Sequence, residues 1–296
     1  MPKTPKDIDH LSHSSIQMFL RCPRQFAYFY LEELRRPPGV ALVKGRAVDI
    51  AASTNLEQKI FTRMDMPIDD VKEAAQEALI KDVDENGGPS EVDWGTGSYV
   101  SAMDSAVRLA DSHMRLHAPL IQPKQVQLKL EREIAGTGRN LLGFLDFVEE
   151  DGTVGDIKTG SRKLAAGDAA NDHQATTYGY LLNRPINFKF WRVIDTGKNM
   201  SDEIVPTSRT LRDNQWFETA AGEVSAAIDA GAFPPNTDGW HCSPRFCGAW
   251  DRCRVQNRPP QIGIDVDPKA ALPIAKKEGL GWAKIARTAR KPKYDE

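Results

Sequence analysis

The spacing of apolar and polar positions divides the chain into two regimes. The first third reads as helical. "HSSIQMFLRCPRQFAYFYLEELRR" (residues 13–36) is expected to form one helix, with Ser14 and Gln17 in the relation of a capping box. Pro37-Pro38-Gly39 closes that segment, and a second helix is expected over Lys44 to Ile60. Residues 62–97 are acidic and interrupted by "ENGGPSEVDWGTGS", the pattern of a helical insert with an exposed loop; a third helix fits 98–117. From there the period drops to two. "VQLKLEREIA" alternates like a half-buried strand. "NLLGFLDFVEE" and "TVGDIKT" follow as strands joined by the turn "EDGT". "NDHQATTYGYLLN" is helical, "INFKFWRVID" and "SDEIVPTS" are strands, and "RTLRDNQWFETAAGEVSAAIDAG" is a long helix closed by Gly231. Helices, three strands, a helix, two strands and a helix predict an α/β fold: a mixed central sheet flanked by helices, with a helical cap.

Bulk properties narrow the class. The chain has 296 residues, 40% hydrophobic and 27% charged, ordinary values for a globular protein with a sizeable core. The polar start "MPKTPKDIDH" lacks the apolar stretch of a secretory signal, and no apolar run approaches the length of a membrane span. The expected location is the cytoplasm, where thiols stay reduced. Four cysteines there point to a metal or cluster site before they point to two disulfides. Three of them, Cys242, Cys247 and Cys253, crowd "GWHCSPRFCGAWDRCR", while Cys22 stands alone more than two hundred residues upstream. The net charge of −2 removes the bulk basicity that would by itself have pointed to nucleic acid. The basic stretch Lys269 to Lys293, with Glu278 its only acid, suits a solvated amphipathic helix or a surface for DNA or a protein partner.

The densest chemistry lies in "GFLDFVEEDGTVGDIKTG". Asp156 and Lys158, two apart on a strand, share a face. The short turn makes the two strands antiparallel neighbours, so Asp146 can lie beside Asp156. Two such carboxylates are hard oxygen ligands for Mg²⁺ or Mn²⁺, and a lysine next to them can orient water or neutralise a phosphate. That is a hydrolytic site for phosphodiesters. The same residues would also serve as exposed strand charges flanking a turn.

Taken with "HQATTYGYLL", the segment resembles the PD-(D/E)XK nuclease superfamily. Its Gly-x-x-Asp, Asp/Glu-x-Lys and Gln-x-x-x-Tyr motifs appear here as Gly143 with Asp146, Asp156 with Lys158, and Gln174 with Tyr178. "LSHSSIQMFLRCPRQFAYFY" and "CSPRFCGAWDRC" are similar to the iron–sulfur branch of the RecB-like and AddB-like nucleases. That branch includes the CRISPR-associated "Cas-four" exonucleases and phage relatives. The resemblance spans most of residues 11–254.

It implies a metal-dependent deoxyribonuclease, an exonuclease acting on single-stranded DNA or DNA ends. Asp49, Asp146 and Asp156, with the Ile157 backbone, would hold the metal. Asp146, Asp156, Lys158, Gln174 and Tyr178 would form the catalytic set; Gln174, Tyr178 and Arg24 would touch nucleic acid. Asp49 stands where relatives commonly carry His, a departure that would alter metal preference or weaken the site. Cys22, Cys242, Cys247 and Cys253 would hold a structural [4Fe–4S] cluster; a zinc site or four unliganded thiols are the other readings of the four residues. Four regions follow: an N-terminal helical region (1–125), the nuclease core (126–235), the cysteine segment (236–258) and the basic tail (259–296). Implied partners are DNA, a recombination, helicase or CRISPR adaptation protein, and further copies of the chain. The alternative is a nuclease-fold scaffold that binds DNA but cleaves it weakly. Phe26, Tyr28, Phe29 and Tyr30 suit either the core or base stacking.

Overall fold

The computed structural model of the chain describes residues 3–34 and 36–257, so the basic tail at 259–296 lies outside the described residues. The expected first helix breaks at Cys22. Helix α1 spans His13–Arg21, and Cys22 after it is extended, with φ −161° and ψ 101°. Pro23 is the cause, because its ring crowds the preceding residue out of the helical region. The chain restarts as α2 (Pro23–Phe26) and continues through a π-helical turn, Ala27–Leu31.

The cap is also shifted. Ser15 N–H donates to Ser12 Oγ at 3.2 Å and Ser12 N–H donates to Ser15 Oγ at 2.8 Å, in place of the expected Ser14 and Gln17. The reason is a short strand, β1 (His10–Ser12), which leaves Ser12 extended at the helix entrance. It pairs in parallel with β3 (Arg139–Glu149).

Three helices form one layer: α3 (Val40–Thr62), α4 (Ile68–Glu85) and α5 (Tyr99–Leu116). Val43, Ala47, Leu79, Val83 and Ala106 are buried together between them. Helix α4 is the helical part of the expected 62–97 insert, and Ser98 caps α5 by accepting the Ser101 N–H.

The remaining strands are β2 (Pro123–Ile134), β4 (Val154–Gly160), β5 (Ile186–Asp195) and β6 (Met200–Arg209). The sheet order is β1-β3-β4-β5-β6, with β2 also on β3. The sheet is mixed, since β4 and β5 run parallel while β2–β3, β3–β4 and β5–β6 are antiparallel. The β4–β5 crossover carries α6 (Ala166–Ala170) and α7 (His173–Leu182), and α8 (Leu211–Asp229) follows β6. One sheet face packs on α1, α7 and α8 through Ile16, Leu145, Tyr180, Phe188 and Phe217. The other meets α3 through Ala52, Leu56, Phe147, Ile157 and Trp191. Each burial of a large apolar side chain is worth about 1.5–3 kcal/mol, so these two seams hold the layers.

The division of β3 between its neighbours positions everything that follows. Strand β2 pairs along one edge of it from Arg139 to Glu149. The other edge is shared: β1 takes Asn140 to Leu142, and β4 takes only Phe147 and Val148. Between them, residues 143–146 have no strand on that edge.

The chain divides into two units, Met1–Ala249 and Trp250–Glu296; the described part of the second is helix α9 (Trp250–Asn257). Among the described residues no helix is long and apolar enough to cross a membrane.

Candidate active site

The gap on β3 is filled by side chains. Asp146 Oδ2 accepts the Ile157 N–H at 2.7 Å, where the β3–β4 ladder has ended. Asp156, fully buried, accepts at Oδ1 from Lys158 Nζ at 2.8 Å and from Gln174 Nε2 at 2.8 Å. The Ile157 side chain joins the core seam with α3.

Helix α7 enters the gap from the opposite side. Asp172 caps it, accepting from the Gln174 and Ala175 N–H groups at 2.7 and 3.3 Å. Gln174 and Tyr178, one turn apart, are joined by a Gln174 Nε2 to Tyr178 Oη bond of 2.7 Å. The Tyr178 hydroxyl in turn donates to the Phe144 carbonyl at 2.7 Å, on the free edge of β3. Gly143 makes that approach possible, because a Cβ there would sit 2.5 Å from Leu181 Cδ1.

Asp49 comes from α3. Its Oδ1 and the Asp156 Oδ2 are both buried without a hydrogen-bond partner. Burial, then the charges of Asp156 and Asp49, push Asp146 well above the usual carboxylate range. Burial also raises Asp156, against the pull of Lys158 and the Gln174 amide. Burial lifts Asp49 to about 6, with Lys158 opposing and Asp156 adding to it. Burial disfavours the charge on Lys158, but Asp156, Asp146 and Asp49 outweigh it and its pKa rises. Tyr178 stays a neutral phenol, raised by burial and by Asp156.

Three carboxylates thus face one ammonium. Among the described residues no group of three or more His, Cys, Asp or Glu is arranged to hold a metal ion. The two partnerless atoms are nevertheless hard oxygen donors in a pocket with excess negative charge, which suits a hard divalent cation.

Three neighbours escaped the sequence reading. His13, first residue of α1, has a buried Nε2 without a partner. Burial, opposed by Asp172 and reinforced by Lys158 and His173, lowers its pKa to about 4, so it is neutral at physiological pH. Gln127 in β2 donates to Ser53 Oγ of α3 at 2.7 Å. Trp216, 53% exposed on α8, stands edge-on to His173 beside Gln174, ring centroids 5.4 Å apart. Only a serine-rich turn before α1 and an apolar residue on the polar side of α8 hinted at His13 and Trp216; an alternating strand gave no hint of Gln127. Of the N-terminal aromatics, Phe26 and Tyr28 are core residues.

Hydrogen bonds tie the Cys22 turn to residues 234–236, and Arg36 to residues 244–247. Asn236 N–H points to Cys22 Sγ at 3.4 Å and Asn236 Nδ2 donates to the Arg21 carbonyl at 2.9 Å. Arg24, whose Nε is buried without a partner, donates its backbone N–H to Pro234 O at 3.3 Å. Arg36 donates to the Pro244, Arg245 and Cys247 carbonyls at 2.9, 3.2 and 3.1 Å. Cys22 and Cys247 are buried and Cys242 is half-buried; Cys253 lies on α9.

The crystal structure of "Putative exonuclease" from Eubacterium rectale aligns at a TM-score of 0.57 and 13% identity, covering 88% of this chain and 95% of its own. At that identity the likeness speaks for the fold. SSO0001 aligns at a TM-score of 0.40 and 11% identity, over 84% of this chain and 88% of its own, too low to carry an argument. Among curated proteins none matches. The model of the PD-(D/E)XK nuclease superfamily matches residues 10–254, from the first residue of β1 into α9. A match of that extent, over a sheet whose gap holds Asp146, Asp156 and Lys158 together, makes the chain a member of the PD-(D/E)XK nuclease superfamily.

Proposed function

We propose that the chain is a divalent-metal-dependent deoxyribonuclease, an exonuclease acting on single-stranded DNA or DNA ends. The observation that carries this reading is the meeting of Asp49, Asp146 and Asp156 around Lys158, with two buried carboxylate oxygens left without partners.

Asp49, Asp146 and Asp156, with the Ile157 carbonyl, would hold Mg²⁺ or Mn²⁺. Such an ion lowers the pKa of bound water and offsets charge on a phosphoryl oxygen. Lys158 carries a positive charge at any physiological pH and is aimed by Asp156, so it can orient water or meet the phosphate. Gln174 fixes Asp156 and faces the substrate path. Tyr178, locked on the Phe144 carbonyl, fixes Gln174. The half-exposed Trp216 with His173 offers a base a stacking surface beside Gln174, which supports a preference for unpaired strands. Arg24 would contribute a phosphate contact.

Cys22, Cys242, Cys247 and Cys253 would hold a [4Fe–4S] cluster with a structural role. The bonds of residues 21–24 to Pro234 and Asn236, and of Arg36 to the 244–247 carbonyls, support this, since they bring distant parts of the chain together near cysteines. The four sequence regions, the basic tail as a DNA or partner surface, and a place in recombination, repair or CRISPR-type end processing complete the reading.

The test is cleavage of end-labelled single- and double-stranded DNA with Mn²⁺ or Mg²⁺. Anaerobically purified wild type is compared with Lys158→Ala. Metal-dependent degradation reduced at least hundredfold by Lys158→Ala is the expected result. A folded, cluster-loaded wild type that leaves both substrates intact would overturn the enzymatic reading in favour of a DNA-holding scaffold.

A further inference from the structure

Gln127 lies in the middle of β2 with φ 47°. That is the left-handed region, which a residue other than glycine occupies only at a cost and which has no place in regular strand geometry. No turn or chain end accounts for it. The ladder pairs on either side are Val126 with Phe147 and Leu128 with Leu145, which sets Gln127 opposite Asp146. Its side chain leaves the strand toward α3. There its amide donates to the buried Ser53 Oγ at 2.7 Å, one turn along α3 from Asp49. Strain in a backbone persists where the surroundings hold it, and it gathers at sites where a side chain must be aimed.

We propose that Gln127 is a positioning residue for the cation site: its left-handed backbone aims one amide at α3, fixing the Asp49 carboxylate against Asp146 on β3. The inference rests on the metal part of the proposed function. Asp49 belongs to a long helix between the sheet and the other helices of its layer, and Asp146 to the sheet, so their separation depends on how α3 seats on β2. Gln127 joins those two elements through Ser53, one turn from Asp49, at the level of Asp146. Partners that orient ligands in this way typically change metal affinity ten- to a hundredfold when removed.

The test uses the full chain stripped of divalent ions and titrated with Mn²⁺ alone, with the thermal midpoint as readout. Wild type, Gln127→Gly, Gln127→Ala and Asp146→Asn are compared. Glycine accepts the left-handed backbone and alanine does not, so metal-free Gln127→Gly should melt above Gln127→Ala. Both should need about ten- to a hundredfold more Mn²⁺ than wild type for an equal rise in midpoint. Asp146→Asn marks the response without the site. In cleavage, the half-saturating Mn²⁺ concentration should rise by the same factor while the rate at saturating Mn²⁺ recovers. Unchanged Mn²⁺ response in both Gln127 variants overturns the proposal, and so does a wild type whose midpoint ignores Mn²⁺. A wild type that is stabilised by Mn²⁺ but cleaves no DNA defeats the nuclease reading while leaving this comparison decisive.

Discussion

Asp146 Oδ2 accepts the Ile157 N–H at 2.7 Å, one step beyond the last backbone pair between their strands, Phe147 with Gly155. A side chain has replaced a backbone carbonyl. The strands separate there without leaving a buried donor orphaned, and the opening is the space that Asp156, Lys158 and Gln174 occupy. Gly155 belongs to the same device: the Phe147 ring lies across it, where a Cβ would be 2.0 Å from Cζ.

Replacing Asp146 therefore separates structure from chemistry. Asp146→Asn keeps an acceptor for Ile157 and removes a charge that burial, Asp156 and Asp49 all disfavour. The metal-free variant should melt no lower than wild type at pH 7 while cleavage falls at least about a hundredfold. Asp146→Ala strands the Ile157 N–H and should cost about 1–3 kcal/mol. Thermal melts in a chelator check this; equal stability of the two variants would refute the bridging role.

Asp49 predicts a dependence on pH. Its pKa of about 6 in the folded chain lies above the ordinary value of 3.8. The folded state binds the proton more tightly than the unfolded state. Stability contributed by protonated Asp49 is therefore lost as pH rises from about 4 to about 6, and the loss persists above. Asp49→Asn should raise the stability of the metal-free protein at pH 7 by about 1–3 kcal/mol, with the gain shrinking toward zero near pH 4. Denaturation of both proteins across that range is the measurement, and a gain independent of pH would contradict it. Because the ion competes with the proton, cleavage should demand more metal below pH 6.

Trp216 and His173 predict how unpaired strands are held. In a Lys158→Ala background, Trp216→Ala should weaken binding of a single-stranded oligonucleotide about ten- to a hundredfold and leave blunt duplex nearly unchanged. Trp216→Phe should restore most of the loss. Fluorescence anisotropy with both ligands decides it: equal losses on the two would remove the stacking role.

Arg139 predicts a stability effect remote from the site. Only 5% exposed, it donates to Asp229 Oδ1 and Oδ2 at 2.6 and 3.0 Å, Ser225 Oγ at 2.6 Å, Pro5 O at 2.9 Å and Ile8 O at 2.8 Å. It ties β3 and α8 to the segment leading into β1. Arg139→Ala leaves the buried Ile8 carbonyl and Ser225 hydroxyl unanswered, while the exposed Asp229 carboxylate returns to water, and should cost about 1–3 kcal/mol in chemical denaturation. Cleavage per folded molecule should persist.

Much of the site was legible because its spacings are local. Asp156 and Lys158 share a face by the two-residue period of a strand, and Gln174 and Tyr178 by the four-residue step of a helix. The single antiparallel turn put Asp146 near Asp156. The five longer strands of the sheet follow from the apolar pattern, and the α/β class from their order among helices. None of these needs a contact from farther away than the next element.

The shared edge of β3, by contrast, belongs to tertiary structure. A three-residue strand has no period to read, so β1 was invisible, and with it the choice of Ser12 over Ser14 as the cap and the delivery of His13 to the site. The break at Cys22 was written in Pro23, but its bond to Asn236 was not. Gln127 looked like one more polar residue on an alternating strand until its backbone turned left-handed toward Ser53. The sequence by itself determined which side chains travel together on each strand and helix, because local periodicity sets those faces. Only the tertiary structure decided that β1 and β4 leave residues 143–146 open and that α3 and α7 fill the opening, because strand pairing and burial bring together groups whose separation along the chain carries no local signal.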